Sequence, residues 1–462
     1  MLLDLLEDLV SLGMEGAEYI DIRAEKSLGT AIRIVDSKLK VGSTFNNIGV
    51  GIRAFIEGSW GFVSSTILEK NHLKSKVKDA VRMAKIISNN SKIKFGLNER
   101  RAIKKKFPLK AKIKVSDVNL SDKIKYIENI DKQATNYDQR IVNTNSVYSD
   151  IEKEIMFCNS FGSLIESKLS RIFCVSANYS KEGVIRQRGF RSIGGVGGYE
   201  IIKESDDALN LGKNAAKEAI NLLSAKTAKG GTFTVLLDPK LTGVFIHEAF
   251  GHAAEADAVI ASESILENKI GTEIANAFIN VVDDPTINGN FGSYLIDDEG
   301  SIAKKSQLIE NGILKNYIHS LETASRLGME GNNGRTEDFR HYPIVRMSNT
   351  YIEPGDWTFE EMVEGIDGIF AQGWVRGYTD PATGAFMFKC EKANRISNGE
   401  IGSLLRDVAI SGDTLNTLKK IDAIGSDVEF SPGHCGKAGQ SVPVTDGGPN
   451  ILVRELVLGG LR

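Results

Sequence analysis

The chain has 462 residues, 41% hydrophobic and 25% charged, with a net charge of −3. That balance excludes a disordered chain and gives no global attraction to nucleic acid or anionic membrane. The length exceeds one typical core and predicts at least two domains. The four cysteines, Cys158, Cys174, Cys390 and Cys435, form no C-x-x-C pair. This argues against a disulfide framework and for a reducing, cytoplasmic setting.

The opening "MLLDLLEDLVSLGMEG" lacks the basic start and cleavage site of a signal peptide and reads as an amphipathic helix over 2–12. No run approaches the roughly 18 apolar residues of a membrane span. Residues 17–65 alternate apolar and polar side chains in short runs such as "YIDIRAEK" and "IGVGIRAFI", the pattern of half-buried strands. Thr66 can cap a helix over 68–88 with Leu73, Val77, Ala80, Ala84 and Ile87 on one face. The order then recurs. A helix over 122–135, capped by Ser121, precedes strand-like runs over 141–192 and a helix over 206–224. The pattern predicts an α+β N-terminal domain, residues 1–228, built on a duplicated helix and antiparallel-strand unit. Between the units, 92–114 holds ten Lys or Arg against one acid, Glu99. It reads as a solvated connector rather than a nucleic-acid contact, because it carries no fold signature of one.

The small, Gly-containing link "AKTAKGGTF" predicts a boundary, with a mainly β C-terminal domain over 229–462. A strand, "TFTVLLD", is followed by Asp238 as N-cap and Pro239 at the first helical position. The helix over "KLTGVFIHEAFGHAAEADAVI" carries His247, Glu248 and His252. Two imidazoles with an adjacent glutamate suit a zinc hydrolase, but the usual spacing is H-E-x-x-H. Five residues of ideal α-helix rotate by about 500°, leaving the two rings about 140° apart. Chelation therefore requires a π-type distortion, expected at Gly251. A third ligand is open among Glu255, Asp257, His319, His341, His434 and the cysteines. Cys435 stands out because it lies in the Gly-rich "SPGHCGKAGQSVP" and not in an apolar run, yet His434 beside it is a competing donor.

"HEAFGHAAEAD" and "GHCGKAGQSVP", with "LIDDEGSIAKKSQLIENGILKNYIHS" and "YPIVRMSNTYIEPG" in order between them, resemble the TldD/TldE (PmbA) metallopeptidase family, once described as modulators of DNA gyrase. The resemblance covers essentially the whole chain, and it is to the catalytic TldD type. It implies zinc held by His247, His252 and Cys435, with Glu248 as catalytic base. It implies cleavage of unfolded peptides bound in extended form, with little side-chain selectivity. It also implies a dimer, either of two copies or with a metal-free TldE-like homologue. Phe250 departs from the family by standing where a smaller aliphatic residue is expected. Peptide binding of this kind needs a strand edge, for which "MSNTYIEPG" and "TGAFMFKCEKA" are candidates. His319, His341, Tyr342 and Arg346 are candidates for oxyanion stabilisation. The competing readings are a deformylase-like metal amide hydrolase, a non-catalytic peptide-binding subunit and a gyrase modulator acting through 92–114.

Overall fold

Alternating side chains in the first half produce long strands, and the start of β1 and the end of β2 are buried on both faces. The computed structural model describes residues 2–460. Helix α1 (Leu2–Met14) leads into antiparallel strands β1 (Tyr19–Val35), β2 (Lys38–Ile56) and β3 (Ser59–Ser65), closed by α2 (Lys70–Asn90). A short strand β4 (Lys104–Phe107) follows. The unit then repeats as α3 (Leu120–Thr135), β5 (Ile141–Asn159), β6 (Leu164–Glu182), β7 (Ile185–Val196) and a helix over Leu211–Leu223. One sheet unites the two units in the order β3-β2-β1-β5-β6, with β4 and β7 both beside β6. The units meet where β1 pairs antiparallel with β5, from Asp21 opposite Asn159 to Val35 opposite Asn145.

Even-numbered residues of β1 (Ile20, Ile22, Ala24) pack against the helix layer together with Val50, Ile52 and Ala54 of β2. Each fully buried aliphatic side chain there contributes about 1.5–3 kcal/mol. The odd-numbered residues Asp21, Arg23 and Glu25 are buried as well, at 3–4% exposure. They face the second half of the chain, where Arg23 donates to Asp298 at 2.7 Å. Arg53 likewise donates to Glu299 at 2.8 Å. Helix α2 starts at Lys70, two residues after the expected 68 and with Glu69 rather than Thr66 at its N-cap, and its buried stripe ends on Ser88 rather than Ile87. The helix expected over 206–224 is two helices, Asp206–Leu209 and Leu211–Leu223, and Leu209 is exposed. The basic connector 92–114 is tethered by ion pairs of Lys94 with Glu57, Lys106 with Glu166 and Lys112 with Glu204.

The second half is mainly β. Among the described residues it forms a ten-stranded sheet and a six-stranded sheet, with a two-stranded ribbon. Strand Gly231–Leu237 lies inside the larger sheet, parallel to Gly368–Gln372 and antiparallel to Ile451–Gly460. The smaller sheet ends in Asn349–Ile352, Gln440–Gly448 and Glu429–Lys437, in that spatial order. Both segments proposed as peptide-binding edges are interior. Asn349–Ile352 lies between Val281–Asp283 and Gln440–Gly448, and Ala385–Lys389 lies between Arg376–Thr379 and Val408–Asp413. Among the described residues, no helix is long and apolar enough to cross a membrane.

Candidate metal centre

Asp238 starts the His-bearing helix as expected, its Oδ1 accepting from the Leu241 amide at 2.7 Å with Pro239 in the first turn. The helix does not continue evenly to Ile260. It is α-helical over Pro239–Val244, π-helical over Phe245–Gly251, and α-helical again only over Ala256–Ile260. The π winding is closed by the His252 amide donating to the His247 carbonyl, i to i−5, at 3.2 Å. It places the two imidazole rings 5.2 Å apart, at 90° to each other. The distortion spans seven residues instead of centring on Gly251. Gly251 is needed for another reason: a Cβ there would sit 2.2 Å from the Met347 sulfur. Gly243, in the preceding α-helical stretch, is required in the same way, since a Cβ would meet the Gly447 amide at 2.6 Å. Backbone approach at Gly243 seats the helix on strand Gln440–Gly448, while Gly251 makes room for the Met347 side chain. Phe250 and Ala249, fully buried behind the site, lock it into the core.

The neighbouring strand Glu429–Lys437 brings Cys435 to the helix. One ligand atom each from His247, His252 and Cys435 lies within 4.8 Å of the others. Cys435 Sγ is 3.6 Å from His252 Nε2. His434 points to the opposite face of its strand, edge-on to Phe173 and Phe291 with ring centroids 4.9 and 5.1 Å away. It is not in the cluster, and the competition between adjacent donors is resolved by strand alternation.

Each imidazole has a carboxylate on its other nitrogen. His247 Nδ1 faces Asp446 Oδ1 at 2.7 Å, and His252 Nδ1 faces Glu255 Oε2 at 2.9 Å. Such partners fix ring orientation and leave Nε2 for a ligand. Glu255 also accepts from Lys437 at 3.0 Å, and Lys437 reaches Asp257 at 2.8 Å. Glu255 and Asp257, weighed as ligands from sequence, thus stand behind the rings. Burial disfavours the Cys435 thiolate, but the two imidazoles outweigh it and hold its pKa at about 5. Burial disfavours a protonated His252, but Glu255 and Cys435 raise it to about 10. Burial opposes ionisation of Glu255, but Lys437 and His252 bring its pKa to about 2. Glu248 projects from the same π turn, one-third of its side chain open to solvent and its Oε2 3.8 Å from His252 Nε2. Burial raises its pKa against the pull of both imidazoles.

The four residues considered for oxyanion stabilisation are engaged in other contacts. His319 bonds to Thr323 Oγ1 at 3.2 Å, and His341 to Asp338 at 3.0 Å. Tyr342 packs on Arg53, and Arg346 donates to the Cys435 carbonyl. Sequence reasoning missed Asp446 and Lys437. Their only signal is an acid and a base within the same Gly-rich tail as Cys435, and their side-chain partners are 180 or more residues away in the chain.

Families described as PmbA/TldA metallopeptidase domain 1, central domain and C-terminal domain match residues 20–84, 113–223 and 230–460. A metalloprotease of Methanocaldococcus jannaschii is 42% identical over 96% of this chain and 97% of its own. A zinc metalloprotease TldD homolog of Saccharolobus solfataricus is 30% identical, again over 96% of this chain and 97% of its own. A solved Thermotoga maritima structure, named for modulation of a DNA gyrase, superposes with a TM-score of 0.80 at 22% identity over 99% of each chain. TldE from Thermococcus kodakarensis gives 0.76 at 18% identity over 99% of this chain and 100% of its own. With full-length sequence relatives and all three domain matches in chain order, this protein belongs to the PmbA/TldD metallopeptidase family.

Proposed function

We propose that the protein is a zinc-dependent peptidase that hydrolyses unfolded peptides held in extended form. The observation that carries this reading is the convergence of two imidazoles and a thiolate within 4.8 Å, with the solvent-reaching Glu248 on the same turn. Two nitrogen donors and a thiolate suit zinc and leave a fourth position open. Zinc bound there supplies Lewis acidity toward a peptide carbonyl and makes water a stronger acid. Glu248 does the proton work. Its carboxylate takes a proton from the attacking water and delivers it to the departing amine. Asp446 and Glu255 hold the rings while this happens. The name of the Saccharolobus relative supports zinc as the metal.

Sequence-blind binding needs main-chain hydrogen bonds to a strand edge. The strand that carries Cys435 is terminal in its sheet and offers such an edge beside the cluster. A dimer, of two copies or with a TldE-like homologue, is supported by residues 38–48 of β2. Among the described residues they pair only with β1, and they leave Leu39, Val41 and Ile48 40–49% exposed. Four free cysteines support a cytoplasmic, reducing location.

The test is metal analysis of the purified protein beside digestion of an unfolded protein, repeated with Glu248→Ala and Cys435→Ala. Stoichiometric zinc and digestion are expected in the parent, zinc without digestion in Glu248→Ala, and neither in Cys435→Ala. Cleavage of formyl peptides alone would establish a deformylase-like hydrolase instead, and a parent protein without zinc would establish a non-catalytic subunit.

A further inference from the structure

Cys435 sits on an edge strand, three residues before the exposed two-residue turn Ala438-Gly439, whose φ angles are +50° and +75°. Among the described residues no further strand pairs with it from outside. A buried guanidinium supplies that restraint. Arg346 has no exposed surface, and both hydrogen bonds of its guanidinium go to main-chain carbonyls, those of Cys435 and of Gln440 at 3.4 Å. Its Nε has no partner. Burying a guanidinium on carbonyls alone is costly, and packing an apolar side chain there would ordinarily be cheaper. The backbone of Arg346 is itself fixed. Its amide donates to the Asn333 carbonyl at 3.0 Å, and its carbonyl accepts from Asn333 Nδ2 at 3.2 Å. Asn333 Nδ2 is in turn held by Asp283 at 2.6 Å. The Gln440 side chain closes the clasp by donating to the Tyr342 carbonyl at 2.8 Å.

We propose that Arg346 is the positioning residue of the third metal ligand. By gripping the Cys435 carbonyl and bridging to Gln440 across the turn, it fixes the direction of the Cys435 Cα–Cβ bond, so that the thiolate meets His247 and His252. This rests on the zinc reading of the cluster. Residues that orient a metal ligand typically change metal affinity 10–100-fold when replaced.

The experiment compares the parent protein, Arg346→Met, Arg346→Lys and Arg171→Met. Arg171 is the control: it is also buried on carbonyls, those of Phe291 and Ser293, but makes no bond to the Cys435 hairpin. Zinc affinity is measured by competition with a chelator, the thiolate–metal absorption in the cobalt-substituted protein, and melting of the metal-free protein. Arg346→Met is expected to lose about 10–100-fold in zinc affinity and to weaken the cobalt–thiolate band. Arg346→Lys, which keeps the charge without the forked donor, should lose less. Arg171→Met should melt earlier yet keep parental zinc affinity. Parental affinity and spectrum in Arg346→Met overturn the proposal. Where that variant fails to fold, parental affinity in Arg346→Lys does so. A parent that binds no zinc overturns the metal reading itself, zinc kept after Cys435→Ala overturns Cys435 as a ligand, and both are distinguishable from the results above.

Discussion

Two buried clusters of charge can be set side by side. Where the N-terminal sheet meets the second half, Arg53 lies between Asp21 at 2.5 Å and Glu299 at 2.8 Å, and Arg23 between Asp298 at 2.7 Å and Glu25 at 3.2 Å. Every cation there has an acid, and Trp60 and Tyr342 cover the Arg53 guanidinium at 4.6 and 5.1 Å. Against burial, Asp21 and Glu299 hold that guanidinium charged. Each guanidinium sits between two acids, and the cluster holds two regions of chain together. Around His247 and His252 the plan is reversed. The carboxylates of Asp446 and Glu255 sit on the far nitrogens, while the near nitrogens and the thiolate converge on one another. Pairing outward completes a structural ion cluster. Pairing backward, with the donors aimed inward, leaves room for a cation from outside.

Substitutions can break this contrast. The largest effects belong to the inward cluster: His247→Ala or Cys435→Ala should abolish stoichiometric zinc. Glu248→Ala should keep it while lowering kcat/KM about 10²–10⁴-fold, read by metal analysis and steady-state kinetics. Arg53→Met strands Asp21 and Glu299 and should cost about 3–5 kcal/mol in urea unfolding. Zinc affinity should not move with it; a shift would show that the two clusters are coupled. Glu255→Gln weakens the backing of His252 and should lower zinc affinity about 10–100-fold, by chelator competition. The smallest effect is on acid stability. Burial raises the Asp298 pKa, but Arg23 and Lys153 outweigh it and hold the carboxyl below its ordinary range. That stabilisation is full above the unfolded aspartate pKa of about 3.9 and disappears as pH falls through the folded value. Arg23→Met should therefore move the acid-unfolding midpoint to higher pH, followed by tryptophan fluorescence.

The doubled helix and strand order was legible because period-2 and period-3.6 patterns are local. The fate of the polar face of β1 was not. Asp21, Arg23 and Glu25 have the alternation of a solvated face, yet all three are buried where Asp298 and Glu299 meet Arg23 and Arg53. The break of the 206–224 helix falls at Asn210 itself, with only Gly212, two residues on, to announce it. Edge and interior strands were indistinguishable for a similar reason, since pairing partners of Asn349–Ile352 come from distant segments.

At the site, the i, i+5 spacing of His247 and His252 determined by itself that an even α-helix could not bring both rings together. The presence of His, Glu, His and a Gly-flanked Cys determined the donor chemistry, because ligand chemistry belongs to residue types. Three things needed the folded chain. Strand alternation set Cys435 toward the rings and His434 away. The close approach of Met347 and Gly447 gave Gly251 and Gly243 their use. Contacts across 180 or more residues put Lys437 and Asp446 behind the imidazoles. Spacing along one helix is a property of the sequence, whereas the meeting of a helix with a remote hairpin is decided only when both are packed on the same core.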